Sequence, residues 1–169
     1  MRNKLIVAAL VLIGLASVAY AAFAQVLTIN GTSTASGTWD VKITGITRAS
    51  ASGATDAALT PSFTATTATF DSTLAYPGAT ATYNVTVTNA GTVPAKLTSI
   101  GGLAAVNAAA PTYVGYTISG VTAGTTTLAA NGGTNTITVT ITWDSASTVS
   151  TTGASKTGVL TFNYDQDTP

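Results

Sequence analysis

The stretch Thr134-Asn135-Thr136-Ile137-Thr138-Val139-Thr140-Ile141-Thr142-Trp143 decides the fold class. Side chains of an extended chain point alternately to opposite faces. Ile137, Val139, Ile141 and Trp143 therefore share an inward face, and Thr136, Thr138, Thr140 and Thr142 an outward one. Alternation of period two predicts a strand with one buried face, and β-branched Thr suits the solvated side of a pleated sheet.

The same pattern recurs outward from this point. In Thr80 to Asn89, Tyr83, Val85 and Val87 point inward and Thr82, Asn84, Thr86 and Thr88 outward. In Thr38 to Ile46, Trp39, Val41 and Ile43 alternate with Asp40, Lys42 and Thr44, and near the C-terminus Leu160, Phe162 and Tyr164 alternate with Thr161 and Asn163. Both Trp39 and Trp143 are expected in the core. Weaker strands are expected around 62–70, 93–100 and 113–118; in the first, Phe63 and Phe70 fall on opposite phases, which predicts a bulge. Turn signals separate the runs: Ser52-Gly53, Pro77-Gly78, Ala90-Gly91, Gly101-Gly102 and Asn131-Gly132-Gly133. Ala is common, but the helix formers Lys, Arg, Gln and Glu are scarce and Thr is everywhere. Many short strands with one apolar face make an all-β chain, a β-sandwich, with no linker and no second domain.

Composition narrows the function. Of 169 residues only 7% are charged, and there is no Cys, no His and no Glu. Thiol chemistry, disulfides and thiolate metal sites are excluded, and the commonest general base and metal ligand is missing. Six basic residues balance six acidic ones, so no basic patch for nucleic acid is expected. An enzyme is not expected, nor a cofactor or a metal. Asp165 with Asp167, or Asp144 beside Ser145, are the best candidates for Ca²⁺, but no Ca²⁺-binding motif surrounds them and solvated turn carboxylates are the simpler reading. Lys42 and Asn163 suggest an isopeptide bond, yet both fall on the outward phase, away from the buried carboxylate that such chemistry needs.

The N-terminus reads as a secretory signal peptide, with Met1-Arg2-Asn3-Lys4 as the basic region and an apolar run from Leu5 to Phe23. Cleavage is expected after residue 21, with a second small-x-small match after residue 24. The run is also long enough for an uncleaved anchor, and a type IV pilin signal is disfavoured by Leu5 directly after Lys4. With the signal removed, four basic residues face six Asp, a formal −2.

Next, Phe23, Leu27 and Ile29 share one phase, broken only by Gln25, and the flexible-looking Gly31-Thr32-Ser33-Thr34-Ala35-Ser36-Gly37 follows. Such a terminal strand can pair within its own domain, or it can complete the sheet of a neighbour through main-chain bonds. Asn30-Gly31-Thr32 and Asn84-Val85-Thr86 are N-glycosylation sequons, with Asn30 and Asn84 both on the outward phase.

Several short motifs, in order, resemble the TasA/camelysin family: Ala21-Ala22-Phe23, then Ala35-Ser36-Gly37-Thr38-Trp39-Asp40, then Tyr76-Pro77-Gly78 followed by Tyr83-Asn84-Val85-Thr86-Val87-Thr88-Asn89-Ala90-Gly91-Thr92. The match covers about the first half of the mature chain, and the lean, Thr-rich, Glu-free composition is closer to the archaeal bundling pilins. The resemblance implies a jelly-roll-like β-sandwich, secreted to the cell surface, that polymerises into a pilus or biofilm-matrix fibre by donating its N-terminal strand. The donor strand would carry Phe23, Gln25, Leu27 and Ile29. Ala79 stands after the proline–glycine turn where the family commonly has Asp, and without His or Glu the protease activity ascribed to camelysin does not carry over. The expected organisation is a signal peptide over 1–21, a donor strand and linker over 22–36, and a β-sandwich over 37–169. The expected partner is a second copy of the chain, with no nucleic acid and no membrane contact beyond an uncleaved signal. The alternative is a monomeric cell-surface adhesin or carbohydrate-binding module.

Overall fold

The structure, a computed structural model, describes residues 30–149 and 156–167. The signal segment and the donor positions Phe23, Gln25, Leu27 and Ile29 lie outside the described residues. The chain divides into two units, Met1–Ala35 and Ser36–Pro169. The described residues of the second are all-β apart from one short helix.

Its elements are β1 (Val41–Ser52), β2 (Ala54–Asp56), β3 (Ser62–Phe63), β4 (Ala68–Thr69), β5 (Ser72–Leu74), β6 (Thr80–Asn89), β7 (Ala95–Gly101), α1 (Leu103–Ala108), β8 (Val114–Ser119), β9 (Thr127–Leu128), β10 (Gly133–Trp143) and β11 (Thr161–Gln166). The main sheet is antiparallel in the order β1-β6-β10-β8, and a second sheet has the order β11-β7-β9. Two small two-stranded sheets, β2-β5 and the hairpin β3-β4, complete the set.

The strongest alternations become the centre of the main sheet. β10 and β6 pair without interruption from Gly133↔Asn89 to Thr142↔Thr80. Their inward residues Tyr83, Val85, Val87, Ile137, Val139, Ile141 and Trp143 are buried. Leu160, Phe162 and Tyr164 of the opposite layer pack against the cluster these residues form, and Ala95 and Leu128 join it from β7 and β9. Burying a side chain of this size contributes about 1.5–3 kcal/mol, so this face carries most of the stability. On the outer face Thr hydroxyls bond across strands: Thr44 with Thr88 at 2.8 Å, Thr82 with Thr140 at 3.1 Å, and Thr138 to Asn84 at 2.9 Å. Each such pair adds about 0.2–1 kcal/mol and needs no charge.

β1 departs from simple alternation. Register shifts between Ile43 and Gly45 and between Arg48 and Ser50 reset its phase, and Ile46 becomes its buried residue. Trp39, expected in the core, is 48% exposed. It precedes β1, where the chain is held to the β6–β7 turn by Ala90 N–H to Asp40 O (2.8 Å) and Thr92 N–H to Thr38 O (3.0 Å). Only Gly fits at position 91 beside this segment, because a Cβ there would lie 2.3 Å from the Thr38 carbonyl oxygen. Asn89, fully buried, organises the same turn: its amide donates to Val93 O (2.8 Å) and its carbonyl accepts from Gly91 N–H (3.0 Å). The expected 62–70 strand is instead a hairpin of two two-residue strands, with Phe63 half-exposed and Phe70 turned inward to stack on Tyr83 at 4.7 Å.

Candidate functional site: a groove between two free strand edges

The floor residues on the inner face of the main sheet are only 2–7% exposed, and among the described residues a cleft lies between that face and the segments opposite it. This groove has a volume of about 1870 Å³. Its floor is Val85 and Val87 of β6 and Ile137, Val139, Ile141 and Trp143 of β10. One lip is the segment 65–77 containing β4 and β5, and the other is the segment 156–165 leading through β11.

Among the described residues both lips end in unpaired edges: β11 pairs only with β7, and β5 only with β2. The main-chain bonds that flank β5, Ala57 N–H to Asp71 O and Ala75 N–H to Gly53 O, also run toward the β2 side. A strand edge bordering an apolar groove leaves donors and acceptors that a further strand would satisfy.

The lips run in opposite directions. Ala65 O accepts from Ile43 N–H, and Ile43 is in register, through Val87, with Asn135 at the start of β10. Phe70 stacks on Tyr83, which is in register with Val139, and Gly78 N–H bonds to Trp143 O. Residues 65–78 therefore follow β10 from its start to its end. The other lip begins beside β8, where Lys156 Nζ donates to Val114 O (2.6 Å) and Pro111 O (3.0 Å). Val114 is in register with Trp143. This lip ends with the Tyr164 hydroxyl beside the Asn135 side chain, so it runs against β10. Burial lowers the Lys156 pKa, and its carbonyl acceptors stabilise the ammonium ahead of β11.

The β2-β5 lip is tied to the floor by a polar cluster. The Tyr83 hydroxyl donates to Asp56 Oδ1, and Arg48 Nη1 lies 3.3 Å from Asp56 Oδ2. Burial, then the hydrogen bond to Asp56, pushes the Tyr83 pKa up to about 12.

The remaining sequence candidates are not brought together. Lys42 pairs with Asp40 at 2.7 Å, while Asn163 donates to Ser99 Oγ at 2.7 Å. Asp165 accepts from Thr98 Oγ1 (2.8 Å) and Asp144 from Ala146 N–H (2.9 Å). Among the described residues no three acidic side chains cluster as a metal site would require. Asn30 is exposed, whereas Asn84 is half-buried and its carbonyl is engaged by Thr138. Sequence reasoning found Phe162 and Tyr164 but not the β5 lip, whose three residues Ser72-Thr73-Leu74 are too few to show a period.

No protein family, curated protein or solved structure matches this chain.

Proposed function

We propose that the chain is the structural subunit of an extracellular filament, a pilus or biofilm-matrix fibre, built by donor-strand complementation. In this reading it is a secreted jelly-roll-like protomer of the TasA/camelysin type, close to the archaeal bundling pilins, and not an enzyme. The observation that carries the reading is the groove: an apolar floor flanked by two unpaired strand edges has the shape of a missing strand.

Dimensions support this occupant. The floor from Asn135 to Trp143 is about 27 Å long at 3.4 Å per residue, and an extended segment 22–30 is of similar length. Small-molecule pockets are about 300–1,000 Å³, well under the 1870 Å³ here. Phe23, Leu27 and Ile29 would each contribute about 1.5–3 kcal/mol on burial, and the lips would add main-chain bonds. A head-to-tail contact of this kind does not close on itself and so propagates as a filament. The near absence of charge leaves little repulsion between copies.

Deletion of residues 22–30 is the test. The mature chain should form filaments by negative-stain microscopy and the deletion should elute as a monomer. Filaments from the deleted chain would refute the proposal, and a full-length chain that stays monomeric at high concentration would favour the adhesin or carbohydrate-binding alternative.

A further inference from the structure

The groove also carries information about direction. Four buried side-chain polar atoms among the described residues lack a partner: Ser72 Oγ, Asn135 Nδ2, Trp143 Nε1 and Tyr164 Oη. The Ser72 hydroxyl lies beside that of Tyr83, and the Tyr164 hydroxyl beside Asn135, so rotation of a hydroxyl can satisfy them. The Trp143 indole is different. It only donates, it cannot rotate onto a neighbour, and its ring is fixed by stacking on Tyr113 at 5.4 Å. A buried donor left unmade is costly, and Trp143 is 7% exposed on the groove floor.

The segment assigned to the groove has one polar residue on its inward phase, Gln25, whose carbonyl is an acceptor. Its four inward positions, 23, 25, 27 and 29, match the four floor positions of β10, 137, 139, 141 and 143, in either of two directions. Running against β10, Phe23 faces the Tyr113–Trp143 stack, and Gln25 faces Ile141, one side-chain repeat or about 7 Å along from Trp143. Running with β10, Gln25 faces Val139, about 14 Å from Trp143 and out of reach. The first direction gives the indole an acceptor and adds Phe23 to an aromatic cluster.

We infer that residues 22–30 of a second copy enter this groove antiparallel to β10, antiparallel to the 65–77 lip and parallel to β11, with Gln25 accepting from Trp143 Nε1 as the contact that fixes direction. The inference rests on the donor-strand reading. It makes Gln25 a specificity residue rather than a flaw in an apolar strand.

The chain has no Cys, so disulfide trapping in full-length chains is clean. Asn30→Cys is combined with Thr66→Cys, at the Asn135 end of the lip, or with Ala75→Cys, at the Trp143 end; both lip positions are exposed. The inferred direction predicts an intermolecular disulfide with Thr66→Cys, at least about tenfold over Ala75→Cys. Preference for Ala75→Cys, or equal trapping, overturns the direction and leaves the donor-strand reading standing. Filaments that trap neither pair overturn both. Adding Gln25→Leu should erase most of the tenfold preference while filaments still form, and a preference that survives it removes Gln25 from its role.

Discussion

Two kinds of strand edge in this molecule are treated in opposite ways. β8 ends the main sheet, yet its edge is blunted: the Asn107 side chain from α1 accepts from Tyr116 N–H at 2.8 Å and donates to Tyr116 O at 2.9 Å, as a neighbouring strand would. Lys156 covers the adjoining Val114 carbonyl. Among the described residues no side chain brackets both main-chain groups of one residue in β5 or β11 in this way, and both strands border the apolar groove. A chain that merely tolerated free edges would leave both kinds alike. Here one edge is closed by a carboxamide, and the open pair flanks an apolar groove.

The largest effect should come from closing what is open. Phe162→Asp places a carboxylate in the groove wall, where an inserted strand would strip its water. Filament yield should fall more than tenfold, while the lost packing of Phe162 against the core lowers Tm without unfolding the chain, because the side chain is only half-buried. Unchanged filaments would remove the groove from assembly. The converse is to open what is closed. Asn107→Ala leaves Tyr116 N–H and C=O without partners, which should cost about 1–3 kcal/mol in chemical denaturation and produce irregular side-by-side aggregates by light scattering. Ordered filaments of normal width would mean the cap has no protective role.

A smaller effect concerns the lip itself. Burial and the hydrogen bond to Asp56 push the Tyr83 pKa up to about 12 from an ordinary 10. A raised folded pKa favours the folded state fully below about 10 and ceases to do so as pH rises through about 12. Unfolding free energy should therefore fall across that interval, and Tyr83→Phe should flatten part of the fall. Tyr116 and Tyr164, also raised by burial, should retain the rest. An identical slope in the variant would place the tether elsewhere.

How much of this could be read from residues alone differs element by element. β6 and β10 are legible because they lie mid-sheet, buried on one face and lined with Thr on the other. β1 is legible only to its first bulge, since a bulge shifts the phase without leaving a mark in composition. Trp39 misleads for the same reason that it is informative: it is an apolar residue on the right phase, placed at the groove rim. The helix α1 has good helix formers in Leu103-Ala104-Ala105-Val106, but six residues are too few to show a 3.6 period. The groove was least legible. It consists of pairings that are not made, and only the tertiary arrangement of short segments reveals which edges stay empty. Gln25 was visible as a break in phase, but a break acquires meaning only beside the unpartnered indole of Trp143.

The most direct test of the account is competition. A synthetic peptide of residues 22–30 added in molar excess to the mature full-length chain should occupy the groove and hold the protein as peptide-bound monomers in sizing chromatography, while a scrambled peptide leaves filament growth unchanged. Filaments that grow equally with either peptide would contradict the claim that the groove receives this strand.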